Sequence, residues 1–297
     1  MEWTESLKKA IDYMEENLLQ NISADDVADE LHMSPYYLQK GFKIMTGYSI
    51  GEYLRCRRLY LAALDVITDK EKVIDLAYKY GYDTPESFTK AFGRFHGVSP
   101  MQLKGNVHRI KTFQPLTIKV TVQGGNNMDF TVEAMKGFKV IGFEREFGFE
   151  DSYQNIPKFW GEFCEKCMTP GALDGAEEEK RKVIRDCSVG EFGVCIDDTG
   201  KKGRFNYLIA GMYDGGPVPE GMKVYELPDM EWAKFRCTGP MPGALQAVNS
   251  RIFHEWLPGN PDYEVAMGVN IEWYSKGDTG AADYESAIWI PVKKKQK

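Results

Sequence analysis

The sequence predicts an α+β chain, with an all-α double helix-turn-helix domain followed by an α+β domain whose curved antiparallel sheet is built from two β-α-β-β units. Three observations carry this reading. A helix-start pattern occurs twice between Ser34 and Lys104. The apolar spacing changes from helical to strand-like after Met128. Between the two lies Gln123-Gly124-Gly125-Asn126-Asn127, where turn formers cluster.

Each copy of the helix pattern opens with a hydroxyl residue and a proline, Ser34-Pro35 and Thr84-Pro85, an N-cap followed by the one helical position that needs no N–H. Apolar residues then recur at i, i+4, i+7, as Leu38, Phe42, Met45 and as Phe88, Phe92, Phe95. Gly47 and Gly97 stop the two helices. A shorter helix precedes each, Ser23–Leu31 with acids in its first turn and Val73–Tyr80 ending at Gly81. Small Ala28 and Ala77 stand where such helices cross closely, so the arrangement is helix-turn-helix, twice. A helix over 4–20, a connecting helix from Ser49 to Thr68 and a short one through Leu103 complete the domain. A strand is expected over Leu116–Val122.

Charge placement separates a DNA reader from a plain helical bundle. Residues 40–58 hold Lys40, Lys43, Arg55, Arg57 and Arg58 against Glu52, five minus one, or +4. Residues 84–109 hold Lys90, Arg94, Lys104 and Arg109 against Glu86, four minus one, or +3. Positive charge thus gathers on the second helix of each pair and just beyond it, where phosphates would lie. Lys43 and Arg94 join the candidate DNA contacts on this ground. Arg57 and Arg58 read as phosphate contacts or packing stems.

The whole chain is not basic. Its formal net charge is −7, and residues 1–108 carry 13 basic and 16 acidic residues against 24 and 28 in the remainder. Attraction to nucleic acid must therefore be a local patch. No apolar run has transmembrane length and the amino terminus is not a signal peptide, which predicts a cytoplasmic protein with no membrane partner. Six cysteines form no disulfide framework, and Cys164-Glu165-Lys166-Cys167 lacks the second half of a zinc site. Inside a helix after Phe159, Trp160 and Phe163, these cysteines read as packing residues, with redox sensing as the alternative.

The spaced positions Ala77-x3-Gly81-Tyr82-x5-Phe88-x3-Phe92-x4-Gly97-x-Ser99-Pro100 resemble the signature of AraC/XylS-type transcriptional regulators. Ile50-Gly51-Glu52-Tyr53-Leu54-Arg55-x-Arg57-Arg58-Leu59 is similar to the long joining helix of the Rob-like group. The resemblance implies double-stranded DNA as a partner, with RNA polymerase as a further one, and no cofactor. By position it implies base or backbone contacts from Tyr36, Gln39 and Lys40 on the first recognition helix. On the second it implies Pro85, Glu86, Ser87, Thr89 and Lys90. Pro85 and Glu86 stand where relatives carry glutamines and Lys90 where they carry arginine, so the sequence read differs from theirs.

After Met128 come strand 138–145, helix 152–168, strands near 192–196 and 207–212, then strand 232–237, helix 244–257 and strands 266–274 and 285–292. Asp214–Gly221 connects the two sets. Such units give a curved sheet with helices on one side and the opposite, concave face free. Ile271-Glu272-Trp273-Tyr274, Ile288-Trp289-Ile290-Pro291-Val292 and Phe159-Trp160 resemble the GyrI-like effector-binding domain. That resemblance implies a small-molecule effector held in this cleft by an acid among aromatic rings. Glu272 is the first candidate and Glu285 the second, with Trp160, Trp273 and Trp289 as walls. The chemistry favours a lipophilic cation, because each ring face adds about 0.5–2 kcal/mol of cation–π attraction. The alternative is a solvated Glu272 on a strand edge with the tryptophans in the core. Ala287 stands where many relatives carry another acid.

The domains expected are thus 1–108 for DNA, 109–127 as linker and 128–297 for the effector. Two other functions stay open for the last part, a hydrolase using Glu272 to activate water and a protein-docking module. The sequence shows no nucleophile–base pair and no metal set, and of His32, His96, His108 and His254 only the last lies beyond residue 108. The prediction is a regulator and not an enzyme.

Overall fold

A computed structural model describes residues 3–68, 71–118, 128–168, 178–197 and 201–295. The chain divides into two compact units. The first is Met1–Met33 with Gly41–Val122, and the second is Ser34–Lys40 with Gln123–Lys297. The assignment of Ser34–Lys40 to the second unit was not foreseen. The expected boundary at 123–127 lies outside the described residues, and 116–118 form no strand.

In the first unit α1 (Trp3–Glu16) buries Leu7, Ala10, Ile11 and Met14. It stops before the expected residue 20, where the Asn17 side chain bonds the Tyr13 carbonyl at 2.8 Å. Helix α2 (Ala24–Glu30) is fixed by a capping box in which the Ser23 hydroxyl accepts from Asp26 N–H and the Asp26 carboxylate accepts from Ser23 N–H at 2.7 Å. Then come α3 (Pro35–Thr46), α4 (Ile50–Thr68) and α5 (Val73–Lys79). Helix α6 (Pro85–His96) follows, and α7 (Pro100–Lys104) closes the series. The Thr84 hydroxyl accepts from Ser87 N–H at 3.1 Å, Pro85 sits in the first turn, and Gly97 ends α6 at φ 76°, where a side chain is strained. Phe88 and Phe92 of α6 are fully buried against Leu59, Ala62 and Val66 of α4 and Leu76 and Ala77 of α5. The predicted helix pair thus has a core of its own.

The second unit is a nine-stranded antiparallel sheet. Its strands are β1 (Phe130–Met135), β2 (Phe138–Gly148), β3 (Phe192–Ile196), β4 (Arg204–Met212), β5 (Met222–Leu227), β6 (Met230–Thr238), β7 (Tyr263–Val265), β8 (Val269–Tyr274) and β9 (Glu285–Lys294). The order across the sheet is β1-β6-β9-β8-β3-β4-β2-β5, with β7 on β9. The two predicted units therefore meet at the central β3–β8 pair. Helix α8 (Ser152–Phe163), extended by a π turn at Cys164–Met168, belongs to the first set, as does α9 (Glu178–Asp186). Helix α10 (Gly243–Arg251), with its π turn Ile252–Trp256, belongs to the second. Among the described residues no helix is long and apolar enough to cross a membrane.

Register decides which face each side chain takes, since residues directly opposite in an antiparallel pair project to the same side. Gly193 lies opposite Glu272, and Cys195 opposite Tyr207 and Asn270. These residues share the face that carries the helices, where Arg145 stacks on Phe159 of α8 at 4.2 Å and Phe235 meets Trp256 at 4.9 Å. The other face holds an apolar cluster of Val140, Val194, Leu208, Trp232 and Ile271, with Trp273 and Trp289 packed against it. That face is filled by the sheet's own side chains and is not the free surface expected.

Candidate functional site

The two recognition helices present different surfaces. On α6, Glu86, Ser87, Lys90 and Arg94 are exposed and Thr89 is half-buried, all turned away from the Phe88–Phe92 core. Among the described residues neither Lys90 nor Arg94 has an ion-pair partner. The two cations are therefore available to an anionic polymer. On α3 the corresponding residues are not at the surface. Tyr36 and Tyr37 are 4% and 2% exposed and Gln39 and Lys40 are half-buried, because Ser34–Lys40 packs within the second unit.

Three cationic residues considered for DNA have other partners. Arg57 is 5% exposed, and its guanidinium grips Glu15 in two places at 2.8 Å each. Tyr53 donates to the same carboxylate at 2.6 Å. Arg57 is a buried brace between α1 and α4 and cannot reach a phosphate. Arg58 is the packing stem of the two readings, its guanidinium donating to the Leu18 and Gln20 carbonyls. Lys43 pairs with Glu52 at 2.8 Å with both side chains about two-fifths exposed, so its charge is already answered locally.

The effector candidates separate by face. Glu272 is half-buried on the helix side, where its Oε2 accepts from the Tyr274 hydroxyl at 2.8 Å and the Tyr207 hydroxyl at 3.2 Å. Tyr207 in turn accepts from Trp160 Nε1 at 2.8 Å, and Trp160 stands edge-on to Tyr274 with centroids 5.2 Å apart. Burial first and the Glu272 charge second push both phenols well above their ordinary pKa, so they remain donors. The same two causes push the Cys195 thiol up to about 12. Among the described residues no cation pairs with Glu272. The site is a carboxylate held by neutral donors and walled by rings.

Trp273 and Trp289 do not belong to it. Each lies on the opposite face, with Trp289 under the Lys234 ammonium at 4.1 Å. Glu285 shares their side of β9 and is ion-paired with Arg236. The reason is the strand period of two, which sends neighbours in sequence to opposite sides. Gly193 was missed, although it makes the site possible. A Cβ there would lie 2.1 Å from the Tyr207 hydroxyl oxygen and 3.1 Å from Glu272 Oε2. Tyr207 was missed as well, having been read only as the start of a strand.

Other features carry less. An open cavity of about 630 Å³ beside Phe147–Asp151 is lined by Arg145, Glu146, Glu162 and Arg204. Those charges pair with one another, Arg145 with Glu162 and Arg204 with Glu146. Cys164 is exposed on its π turn, so it is not the packing residue expected. No cluster of metal-binding side chains occurs among the described residues.

Residues 131–292 match the family described as integron-associated effector-binding protein, and residues 27–106 match a helix-turn-helix domain. The helical region is 34% identical over 103 residues to the Transposon Tn10 TetD protein of Escherichia coli, covering 35% of this chain and 75% of that one. It is 32% identical over 104 residues to the regulatory protein SoxS of Salmonella typhimurium, covering 35% of this chain and 94% of that one. A structure of SAV2435 bound to tetraphenylphosphonium aligns with TM-score 0.44 and 22% identity, covering 56% of this chain and 94% of that one. With more than half of its length in the first of these matches, the chain belongs to the integron-associated, GyrI-like effector-binding family, and its AraC-type helix-turn-helix domain makes it a DNA-binding transcriptional regulator with an effector-binding domain.

Proposed function

We propose that this regulator responds to a lipophilic cation bound against Glu272, and that it reads duplex DNA through α6 and α3 in the cytoplasm. It acts by binding and not by catalysis. The observation that carries the ligand class is the Glu272 carboxylate itself, half-buried, held by two tyrosine hydroxyls and unpaired with any cation among the described residues. Removing a carboxylate from water is costly unless a counter-charge compensates, and a cation with apolar flanks supplies both charge and ring contact. On the DNA side, support comes from the capped α6 with Lys90 and Arg94 on its open face.

Calorimetric titration with tetraphenylphosphonium and with neutral triphenylphosphine oxide tests the ligand class. Glu272→Gln keeps the shape of the site and removes its charge. The cation is expected to lose roughly ten- to hundredfold in affinity, about 1.4–2.8 kcal/mol, while the neutral compound changes little. Equal losses for both, or none for either, would remove Glu272 from the role.

A further inference from the structure

We infer that the cleft over the β3–β8 pair has an occupant within the chain, Ser34–Lys40 of the first recognition helix, which an effector must displace and which is released for DNA when it does. This rests on the reading of Glu272 as the effector site. The contacts are specific. At the end of β3, the Asp197 carboxylate accepts from the Ser34 hydroxyl at 2.7 Å and from the Tyr36 N–H at 2.8 Å. Those groups form the amino terminus of α3, the end whose exposed N–H groups and dipole favour a phosphate. Asp197 thus supplies the negative charge that DNA would otherwise bring.

Further along, the Tyr36 hydroxyl donates to Cys195 Sγ at 3.3 Å, and its ring meets Phe205 at 5.4 Å and Phe149 at 6.1 Å. Cys195 lies on the Glu272 face, one alternate residue from Gly193 on β3. The Tyr37 hydroxyl donates to the Val269 carbonyl at 2.7 Å, and its ring lies 6.4 Å from Phe253. Lys40 donates to the Tyr36 hydroxyl at 2.9 Å, which brings an ammonium group of the chain itself into an acidic, ring-lined cleft. Two residues implied as DNA contacts, Tyr36 and Lys40, are therefore engaged here, in contrast to the open face of α6.

The fit is also imperfect in a way that suits displacement. Gln39 Nε2 is buried without a hydrogen-bond partner, as is Asn270 Oδ1 on the Glu272 face. Each polar group left unmet in the docked state favours its release. A ligand that binds only the vacated cleft shifts the balance by its differential affinity for the two states. By the same linkage, DNA that grips the freed helix should favour ligand binding.

The test uses Asp197→Asn in the full chain. It removes the charge that holds Ser34 and Tyr36 without altering any residue assigned to DNA. Asp278→Asn in an exposed turn is the control for an equal change of charge. The DNA is a duplex that the protein itself selects from random sequence, and the ligand probe is tetraphenylphosphonium. Without ligand, Asp197→Asn is expected to bind the duplex about tenfold tighter than the control. It should also bind the cation about tenfold tighter than wild type, because more of the protein is competent. DNA affinity equal to the control overturns the proposal. So does unchanged cation affinity when the wild type binds the cation. If no form of the protein binds the cation, the reading of Glu272 fails, and the DNA measurement then decides for or against the docked helix by itself.

Discussion

Arg57→Ala should destabilise the protein by about 3–5 kcal/mol, the range for removing one partner of a buried ion pair. The guanidinium is 5% exposed and makes two bonds to Glu15, and alanine would leave that carboxylate between α1 and α4 with Tyr53 as its remaining donor. Urea unfolding of the full chain, followed by tryptophan fluorescence, measures the loss through Trp3, which is buried in α1. Arg57→Lys should recover part of it, since one ammonium cannot reproduce the two-point grip. A phosphate contact would behave differently, leaving stability within about 0.5 kcal/mol and lowering DNA affinity for every sequence alike. That outcome would return Arg57 to the DNA surface.

The second large effect is expected at Gly193. Its ideal Cβ lies 2.1 Å from the Tyr207 hydroxyl oxygen, closer than any side-chain carbon approaches an oxygen, so Gly193→Ala must move Tyr207. Glu272 then loses one of its two hydroxyl donors, and Trp160 loses its acceptor. The strain of overpacking should cost about 1–3 kcal/mol of stability. Tetraphenylphosphonium affinity should fall at least tenfold, about 1.4 kcal/mol. Gly161→Ala on α8 serves as the control, because nothing lies within 4 Å of the added carbon. If Gly193→Ala binds the cation as wild type does, Tyr207 does not position Glu272.

Much of this organisation was legible in the sequence because local and tertiary signals agree there. Thr84-Pro85 at the start of α6, Gly97 at its end and the Phe88–Phe92 spacing each specify the same helix. The strands read correctly are the ones with long apolar runs, such as Phe192–Ile196, which is buried throughout. Strands β1 and β5 escaped because they lie at the two ends of the sheet order, with Glu133 and Lys223 breaking their apolar pattern. Helix α9 escaped because seven of its nine residues, Glu178 to Lys182, Arg185 and Asp186, are charged and Val183 and Ile184 alone are buried.

The site was legible in part. Glu272 could be picked as an acid among aromatic residues, but Trp273 could have been set aside from the strand period alone. Choosing Tyr207 and Gly193 needed the register of three strands, β4, β3 and β8, which no local pattern encodes. The placement of Tyr36 and Tyr37 was less accessible still. Their partners Cys195 and Val269 lie 159 and 232 residues away in sequence.

The claim that the helical region reads DNA through α6 is tested most directly by salt. Fluorescence anisotropy with the selected duplex would be measured for wild type and for Lys90→Ala combined with Arg94→Ala across a range of salt concentrations. Each phosphate contact contributes a slope of about −0.9 to the dependence of log K on log salt. The double substitution should therefore weaken binding at moderate salt and make the slope shallower by about 2, or nearer 1 if Lys90 contacts a base edge instead. Unchanged affinity and an unchanged slope would contradict the assignment of α6 to DNA.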